Sequence, residues 1–416
     1  MQREVSHVKN PIIPGRGVCD PHIHLFEGRA YLYASHDFSP ENTLWLMRDW
    51  QIWSSADLVE WRLESTLRPE DLYMGESEQC WAVDAATKSG KYFLYFSDGN
   101  AKTGVARSDS PGGPFIDALG KPLLDGTLTT TTEYDPAVFI EDDGSAYILF
   151  GGPSWAYGEG AGYYMAQLDD DMISIKGEPK LVEVNHDADD KASLHKHNGT
   201  YYLTWASFYA TSKNLYGPYT FRGNFGASPD HGSFFSMNNQ DFNAFTIFDP
   251  HFVHRSSGIT YIHYRDNGEI VTDGLIVEMG VGQYDAQWNK IEAEWFMAAH
   301  NCSKKENPRL GFDVSNIKDG SYLYYPKIRN IPKNASIHFY ASPITETTIE
   351  IRSKSIDGPL LGICVLTPGF LAWKGYRSFS TRLSNNGGEE DIYLLFRGEG
   401  ESLVHLDWFS FAKENN

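Results

Sequence analysis

The sequence predicts an all-β protein in which a five-bladed β-propeller is followed by a β-sandwich, a jelly-roll module. Three observations predict this fold class: a phrase that occurs five times, a change in strand spacing near residue 286, and a near absence of long amphipathic helix patterns. With 416 residues, the chain exceeds the usual size of a single hydrophobic core, so two domains are expected.

The repeated phrase begins with one side chain, called here the leading residue, and reaches a turn and an aromatic strand eight or nine residues later. The leading residues and their turn residues are Asp20 with Gly28, Trp81 with Gly90, Asp135 with Gly144, Asp190 with Gly199 and, in a weaker copy, His231 with Asn239. Successive leading residues are 61, 54, 55 and 41 positions apart. A period of about 40–60 residues with several strands per unit is typical of a β-propeller. Equivalent positions of the blades point at one axis, so we expect the leading residues to meet there.

The repeat ends near Asp285, where a second strand pattern begins. Short strands then follow at intervals of about 8–20 residues, from NKIEAEWF to the terminal LVHLDWFSF. This spacing is typical of a β-sandwich of about 125 residues. We therefore predict domains at residues 1–286 and 287–416.

The composition limits the classes of partner. A net charge of −20 argues against nucleic acid and anionic membranes, which need a cationic face, and a neutral carbohydrate fits better. No apolar run approaches the roughly 20 residues of a transmembrane helix, and MQREVSHVKN has no signal-peptide core. We expect either a cytoplasmic protein or the mature form of a secreted or periplasmic one. The four cysteines are far apart and show no metal spacing.

Two family resemblances follow from longer motifs. Residues 8 to about 285 contain KNPIIPG, CDPHIHLFEGRAYLYAS, QIWSSADLVEWRL, YDPAVFIEDDGSAYILFGG, HKHNGTYYLTWAS and DHGSFF, and they resemble glycoside hydrolase family 43, a family of five-bladed propellers. The second part contains KIEAEWF, DGSYLYYPKI, GICVLTPGFLAW and LDWFSF, and it resembles carbohydrate-binding module family 6, a β-sandwich.

The first resemblance implies an exo-acting, inverting glycoside hydrolase on plant-type polysaccharides or oligosaccharides. An α-L-arabinofuranosidase is the first expectation, followed by a β-xylosidase or another furanosidase or galactan-active enzyme. The alternative is a non-catalytic glycan-binding protein derived from such a hydrolase.

Hydrolysis of a glycosidic bond needs two carboxyl groups, one that protonates the leaving oxygen and one that activates water. By resemblance, Asp20 matches the general base, and Asp135 matches the carboxylate that raises the pKa of the acid and orients it. The family has its acid, a Glu, six residues before the Lys of K-x-N-G, and here that position is Asp190. The side chain is one methylene shorter, which places the carboxyl about 1–1.5 Å further from its target. Other candidates for the acid are Asp189, Asp187, Glu183 and His186.

Further residues are expected to bind sugar or metal in the propeller. Trp81 or Asp84 would line the pocket, Trp81 as a stacking face. Arg255 is the expected arginine directed at the sugar or at the tuning carboxylate, with Arg265 as its rival. By resemblance, His231 contacts a cation, usually calcium, through water.

A possible metal motif occurs in the same region. Asp20, His22 and His24 read D-x-H-x-H, similar to the metal-binding strand of amidohydrolases, and two histidines at i and i+2 of a strand face the same side. That enzyme class needs an α/β barrel, whose helices this sequence lacks. DPHFVHR at residues 249–255 is a weaker cluster, interpreted as strand and turn histidines.

In the sandwich, Phe370 and Trp373 are candidates to stack on a sugar. His405 occupies the position where the resembling family usually has a ligand-binding Asn, which puts the usual site in doubt. The resemblance to module family 6 implies a structural calcium ion in the sandwich, and oxygen ligands from both ends of the module suit calcium. The candidate ligands are Glu292, Glu294 and Asp407.

Overall fold

A computed structural model describes residues 9–38, 45–153, 162–227, 230–250, 254–369 and 375–413. These residues are almost entirely strands and turns, with one short α-helix, α1 (Gly274–Met279), and two 3₁₀ turns, Pro69–Asp71 and Ala293–Trp295. No helix among them is long and apolar enough to cross a membrane. The predicted all-β class is confirmed.

Five four-stranded sheets form the blades, each with its strands in sequence order. Blade 1 contains β1 (Val18–Phe26), β2 (Arg29–Asp37), β3 (Met47–Ser55) and β4 (Arg62–Leu67). Blade 2 contains β5 (Cys80–Lys88), β6 (Lys91–Asp98), β7 (Lys102–Ser108) and β8 (Ile116–Asp117). Blade 3 contains β9 (Ala137–Ile140), β10 (Ala146–Gly151), β11 (Tyr163–Leu168) and β12 (Ile175–Leu181). Blade 4 contains β13 (Ser193–His197), β14 (Thr200–Trp205), β15 (Phe208–Ser212) and β16 (Thr220–Asn224). Blade 5 contains β17 (Gly232–Met237), β18 (Gln240–Ile247), β19 (Ser256–Tyr264) and β20 (Ile270–Thr272).

The first hairpin of each blade explains the repeat. Its turn needs a residue with positive φ, which glycine adopts without steric cost. The turn residues have φ values of 77°, 73°, 83° and 68° in the first four blades and 64° in the fifth, and they are Gly28, Gly90, Gly144, Gly199 and Asn239. Each leading residue therefore lies within or just before the first strand of its blade.

Aromatic and aliphatic side chains fill the space between neighbouring blades. Between blades 1 and 2, Trp50 and Phe96 are fully buried with their ring centroids 5.0 Å apart. Similar clusters join blades 2 and 3 and blades 3 and 4. This packing holds the first strands of the blades in fixed positions around their common centre.

The second part is a sandwich of two sheets. One sheet contains, in spatial order, β23 (Ser303–Asn307), β24 (Gly311–Ser315), β31 (Val404–Ala412), β26 (Ser336–Pro343) and β29 (Arg377–Arg382), with β21 (Ile291–Glu292) also paired to β31. The other contains β22 (Ala298–His300), β25 (Tyr322–Ile331), β30 (Gly388–Gly398), β27 (Thr347–Ser353) and β28 (Leu360–Leu366). Side chains alternate between buried and partly exposed along β27, as expected for a strand with one face on a core. Because β21 pairs with β31, the two ends of the module lie side by side.

The chain divides into two compact units. Met1–Phe235, Phe242–Thr260 and Thr272–Gly280 form the first, and Ser236–Asp241, Tyr261–Val271 and Val281–Asn416 form the second. The sequence did not predict that parts of blade 5 group with the second unit. The boundary between residues 286 and 287 stays a prediction.

Candidate active site

Arg255 organises a cluster of buried carboxylates on blade 1 and near the start of blade 5. Its guanidinium donates to Asp20 Oδ1 at 2.7 Å, to Asp230 Oδ2 at 2.8 Å and to Asp37 Oδ1 at 3.1 Å. All four side chains are almost fully buried. Burial by itself raises the pKa of Asp20, but Arg255 and His231 outweigh it and hold this pKa well below its usual range. Asp20 is therefore ionised at neutral pH, as a general base must be.

His231 joins two carboxylates from different blades. Its Nδ1 lies 3.2 Å from Asp20 Oδ1, and its Nε2 lies 3.1 Å from Asp135 Oδ2. Burial lowers the pKa of His231, but Asp135 and Asp20 outweigh this effect and raise it well above its usual value. Three of the five leading residues thus meet at one point.

The backbone is strained at Asp20 and Asp135, which both precede a proline. Asp20 has φ 52° and Asp135 has φ 53°, the left-handed region that residues other than glycine seldom adopt. Asp20 lies next to a register irregularity between Cys19 and His22 of β1. Its amide donates to Thr246 Oγ1 at 2.9 Å, and the amide of Asp135 donates to Ser97 Oγ at 2.9 Å. Such strain persists where the surroundings impose it, often at functional sites.

Asp190 is the most exposed of the three candidate catalytic carboxylates, with a quarter of its side chain accessible. Its Oδ2 accepts a hydrogen bond of 3.0 Å from Tyr134 Oη, and its Oδ1 pairs with the ammonium of Lys191. Lys191 also lies 3.3 Å from Asp189 Oδ2, while its backbone amide donates to Asp135 Oδ2 at 3.2 Å. One residue therefore connects the candidate acid with the candidate tuning carboxylate.

Residues 8–270 match the sequence profile of glycosyl hydrolases family 43, and residues 292–413 match that of carbohydrate binding module family 6. The chain belongs to glycosyl hydrolases family 43. It is a glycosidase, an enzyme that hydrolyses glycosidic bonds.

Relatives cover nearly the whole chain. An arabinoxylan arabinofuranohydrolase of Bacillus subtilis is 27% identical and covers 97% of this chain and 92% of its own length. One of Paenibacillus polymyxa is 26% identical over 97% of this chain and 74% of its own length. A solved β-xylosidase/α-arabinofuranosidase from a compost metagenome, in complex with xylotriose and calcium-free, is 29% identical and covers 64% of this chain and 97% of its own, with a TM-score of 0.54.

In this family 43 chain, Trp81 lies beside the candidate acid. Its ring centroid is 6.4 Å from that of Tyr134, the residue that donates to Asp190. The indole Nε1 donates to the carbonyl of Trp45 at 3.1 Å. Trp81 is partly exposed, so its ring remains a candidate surface for a sugar.

Asp84 is buried and held by protein groups, which argues against its expected role in lining the sugar pocket. It is almost fully buried, and its Oδ1 lies 3.1 Å from His22 Nδ1 and 2.6 Å from His24 Nε2. The Val138 amide donates to its Oδ2 at 2.6 Å. Both of its oxygens therefore accept hydrogen bonds from protein groups, and its burial argues against contact with a sugar hydroxyl.

The two arginine candidates, Arg255 and Arg265, form ion pairs with different carboxylates. Arg255 is buried and contacts the candidate base, so the expectation that it reaches the sugar or Asp135 is corrected: it is a positioning residue for Asp20. Arg265 instead pairs with Glu306 at 2.7 Å and with Glu269.

The other acid candidates lie elsewhere or play different roles. Glu183, His186 and Asp187 line another cleft of about 500 Å³. Asp189 Oδ1 accepts a hydrogen bond of 2.9 Å from the backbone amide of Asp190, and Asp189 Oδ2 forms an ion pair with Lys191. The arrangement therefore favours Asp190 over these four residues.

A calcium ion coordinated directly at the axis does not fit the residues present. Asp20, Asp230 and His231 lie close enough to share an ion, but the Arg255 guanidinium already bridges the two carboxylates. A contact between His231 and a cation through water stays a prediction. Of the cluster at 249–255, residues 251–253 lie outside the described residues, and His254 donates its amide to Asp249.

The sandwich candidates fall into two groups. Phe370 and Trp373 lie outside the described residues. His405 lines a cleft of about 300 Å³ together with Asn307, Asp313 and Tyr376. Its Nδ1 lies 3.6 Å from Asp313 Oδ1, and Tyr376 donates to Asp313 Oδ2.

The calcium candidates lie where the two ends of the module pair. Glu292 is opposite Trp408, next to Asp407 in the strand, and forms an ion pair with Lys290. Asp407 and Glu294 are buried. No hydrogen-bond donor among the described residues reaches Asp407 Oδ1, and burial, with Glu292 nearby, raises the pKa of Asp407 to about 7. A buried carboxylate of this kind fits a cation.

Sequence reasoning missed four residues of the site. Asp37 and Asp230 complete the carboxylate group around Arg255, and Tyr134 and Lys191 hold Asp190. Three of them carried a usable signal, since Asp230, Tyr134 and Lys191 each adjoin a leading residue. Asp37 is the last residue of strand β2, and no motif in the neighbouring sequence identified it as a site residue.

Proposed function

We propose that this glycosidase is an exo-acting, inverting α-L-arabinofuranosidase that removes arabinofuranosyl side groups from arabinoxylan-like polysaccharides or oligosaccharides. Asp20 is the general base, Asp190 the general acid and Asp135 the carboxylate that orients and tunes the acid. The observation that carries the proposal is the His231 bridge, whose two ring nitrogens lie 3.2 Å and 3.1 Å from the carboxylates of blades 1 and 3.

In the proposed reaction, Asp20 accepts a proton from the water that attacks the anomeric carbon, and Asp190 gives a proton to the leaving oxygen. The anomeric C–O bond breaks as the bond to water forms, which inverts the configuration. Arg255 and His231 keep Asp20 ionised, and Lys191 connects Asp190 to Asp135 through its ammonium and its backbone amide.

The choice of sugar rests on the relatives. Two proteins that this chain spans over most of their length are named arabinoxylan arabinofuranohydrolases. β-Xylosidase activity is the second candidate, because a relative from Humicola insolens, 32% identical over 51% of this chain, is named xylosidase/arabinosidase.

A panel of nitrophenyl glycosides tests the proposal, with α-L-arabinofuranoside and β-D-xyloside as the main substrates. We expect turnover of the arabinofuranoside and a loss of about 10²–10⁴-fold in Asp20→Asn. NMR of the first product formed should show the inverted anomer. No turnover of any glycoside, together with measurable oligosaccharide binding, would show that the chain is a non-catalytic glycan-binding protein.

For the sandwich, we propose that the cleft containing Asp313, Tyr376 and His405 binds glycan and that Glu292, Glu294 and Asp407 hold a structural calcium ion. The polar groups of the cleft support the first proposal. The buried Asp407 Oδ1 supports the second. In the Asp20→Asn background, His405→Ala should weaken retention on arabinoxylan in affinity electrophoresis. Equal retention would place glycan binding elsewhere.

A further inference from the structure

A second group of ligand-type side chains lies in the propeller, apart from the proposed reaction. It consists of His22 and His24 of β1 and Asp84 of β5, and their ligand atoms all lie within 4.8 Å of one another. It shares no residue with the cluster around Arg255 and His231. The enzyme mechanism proposed above uses none of the three.

The first strands of two blades create this group. His22 and His24 are two positions apart in β1, so their side chains project to the same side. Asp84 comes from the equivalent strand of the next blade. Its Oδ1 lies 3.1 Å from His22 Nδ1 and 2.6 Å from His24 Nε2. The sequence motif showed the two histidines, and the propeller supplies the carboxylate.

We propose that His22, His24 and Asp84 form a binding site for a divalent transition-metal ion of the zinc type. Two imidazoles and one carboxylate are a donor set that zinc takes in proteins, with a fourth position for water. His22 and Asp84 are buried, whereas 28% of the His24 side chain is exposed, which gives an ion a route of entry and room for that water.

The surroundings hold the ligands in place. The backbone amides of Ala85 and Val138 donate to Asp84 Oδ1 at 2.7 Å and to Oδ2 at 2.6 Å. The His24 ring stacks on Phe26 with centroids 5.6 Å apart. Outer contacts of this kind orient metal ligands and raise affinity.

Metal binding requires a small movement. Bonds of about 2.0–2.2 Å to a tetrahedral ion leave the ligand atoms roughly 3.3 Å apart. The contact of 2.6 Å between His24 and Asp84 must therefore widen by about 0.7 Å, and the partly exposed ring of His24 can supply this by rotation. The ion would then join blades 1 and 2, with Val138 of blade 3 attached through its hydrogen bond.

The test uses zinc itself on the full chain after treatment with a chelator, in calcium-containing buffer. We expect isothermal titration calorimetry to show one zinc site and the melting temperature to rise with zinc. His24→Gln should weaken zinc binding at least 10-fold and remove that rise. The matched control is His36→Gln, since His36 also pairs with a carboxylate, Asp49 at 2.8 Å, but has no second histidine there.

Cobalt provides an independent readout, because tetrahedral Co²⁺ absorbs strongly in the visible range. The wild type and His36→Gln should show this band, and His24→Gln should not. Failure to bind zinc, or equal zinc affinity in His24→Gln and wild type, would overturn the proposal. Neither the zinc titration nor the cobalt spectrum depends on glycosidase activity. This test can therefore fail or succeed independently of the proposed function.

Discussion

Replacement of Arg255 by Met tests whether the buried guanidinium keeps the candidate base ionised. Its side chain makes five hydrogen bonds to oxygen atoms of Asp20, Asp37 and Asp230. Methionine leaves three buried carboxylates without that cation. Removing one partner of a buried charge group costs about 3–5 kcal/mol. We expect a fall in stability of this size, measured by urea unfolding.

The pH profile gives the more specific result. Arg255 holds the pKa of Asp20 low, so its loss must raise that pKa, and each unit corresponds to about 1.4 kcal/mol. A general base works only when ionised, so kcat/KM falls as pH drops through this pKa. In Arg255→Met the acidic limb should move upward by at least about one unit. The folding contribution of Asp20 has the same sign, present above its unfolded pKa and lost as pH falls.

Arg265→Met is the matched control. This arginine is one-third exposed and pairs with Glu306, so its removal should cost about 0–1 kcal/mol and leave the pH profile unchanged. If Arg255→Met proves too unstable to assay, Arg255→Lys retains a charge but cannot bind two carboxylates as a planar fork. An acidic limb that coincides in wild type, Arg255→Lys and Arg265→Met would refute the role assigned to Arg255.

Three further predictions concern the candidate acid and the sandwich. Asp190→Asn should lose about 10²-fold or more on arabinoxylan oligosaccharides but much less on nitrophenyl substrates, because nitrophenolate leaves without protonation, and equal losses would contradict the acid role. Lys191→Met should move the alkaline limb of kcat/KM to higher pH, since the ammonium favours the ionised form of a carboxyl that must be protonated to act, and an unmoved limb would exclude this role. The pKa of Asp407 is raised to about 7 in the folded protein. Its protonated form therefore favours folding below about pH 4, and this contribution is lost as pH rises from about 4 to 7. Calcium should therefore raise the melting temperature more at pH 8 than at pH 4.5, and Asp407→Asn should abolish the difference.

The propeller was predictable because its signal is local. Each blade repeats a hairpin whose turn requires positive φ, so glycine or asparagine recurs at a fixed distance from the leading residue. Equivalent positions then meet by symmetry, which is why Asp20, Asp135 and His231 could be grouped from the sequence. Their distances in the structure agree with that grouping.

The partners of these residues were not predictable, because they depend on contacts between distant parts of the chain. Arg255 lies 235 positions from Asp20 and 218 from Asp37, and no local pattern links them. For Asp84 the sequence showed a polar residue near a leading position but not the two histidines that occupy its carboxylate. Lys191 pairs with Asp190 from a backbone with φ 63°, a conformation that the sequence does not reveal.

The charged groups at the axis suit the transition state of the proposed reaction better than its neutral substrate. With their carboxyl groups ionised, four aspartates contribute four negative charges: Asp20, Asp37, Asp135 and Asp230. Arg255 and protonated His231 contribute two positive charges, so the cluster has a net charge of −2. A neutral sugar gains little from this excess. The transition state of glycoside hydrolysis is an oxocarbenium-like cation, which gains much more in a site of low dielectric constant. Stabilisation confined to the transition state raises kcat rather than substrate affinity. In the proposed reaction, Arg255 and His231 offset part of the negative charge of the carboxylates, and the remaining negative charge would stabilise the developing cation.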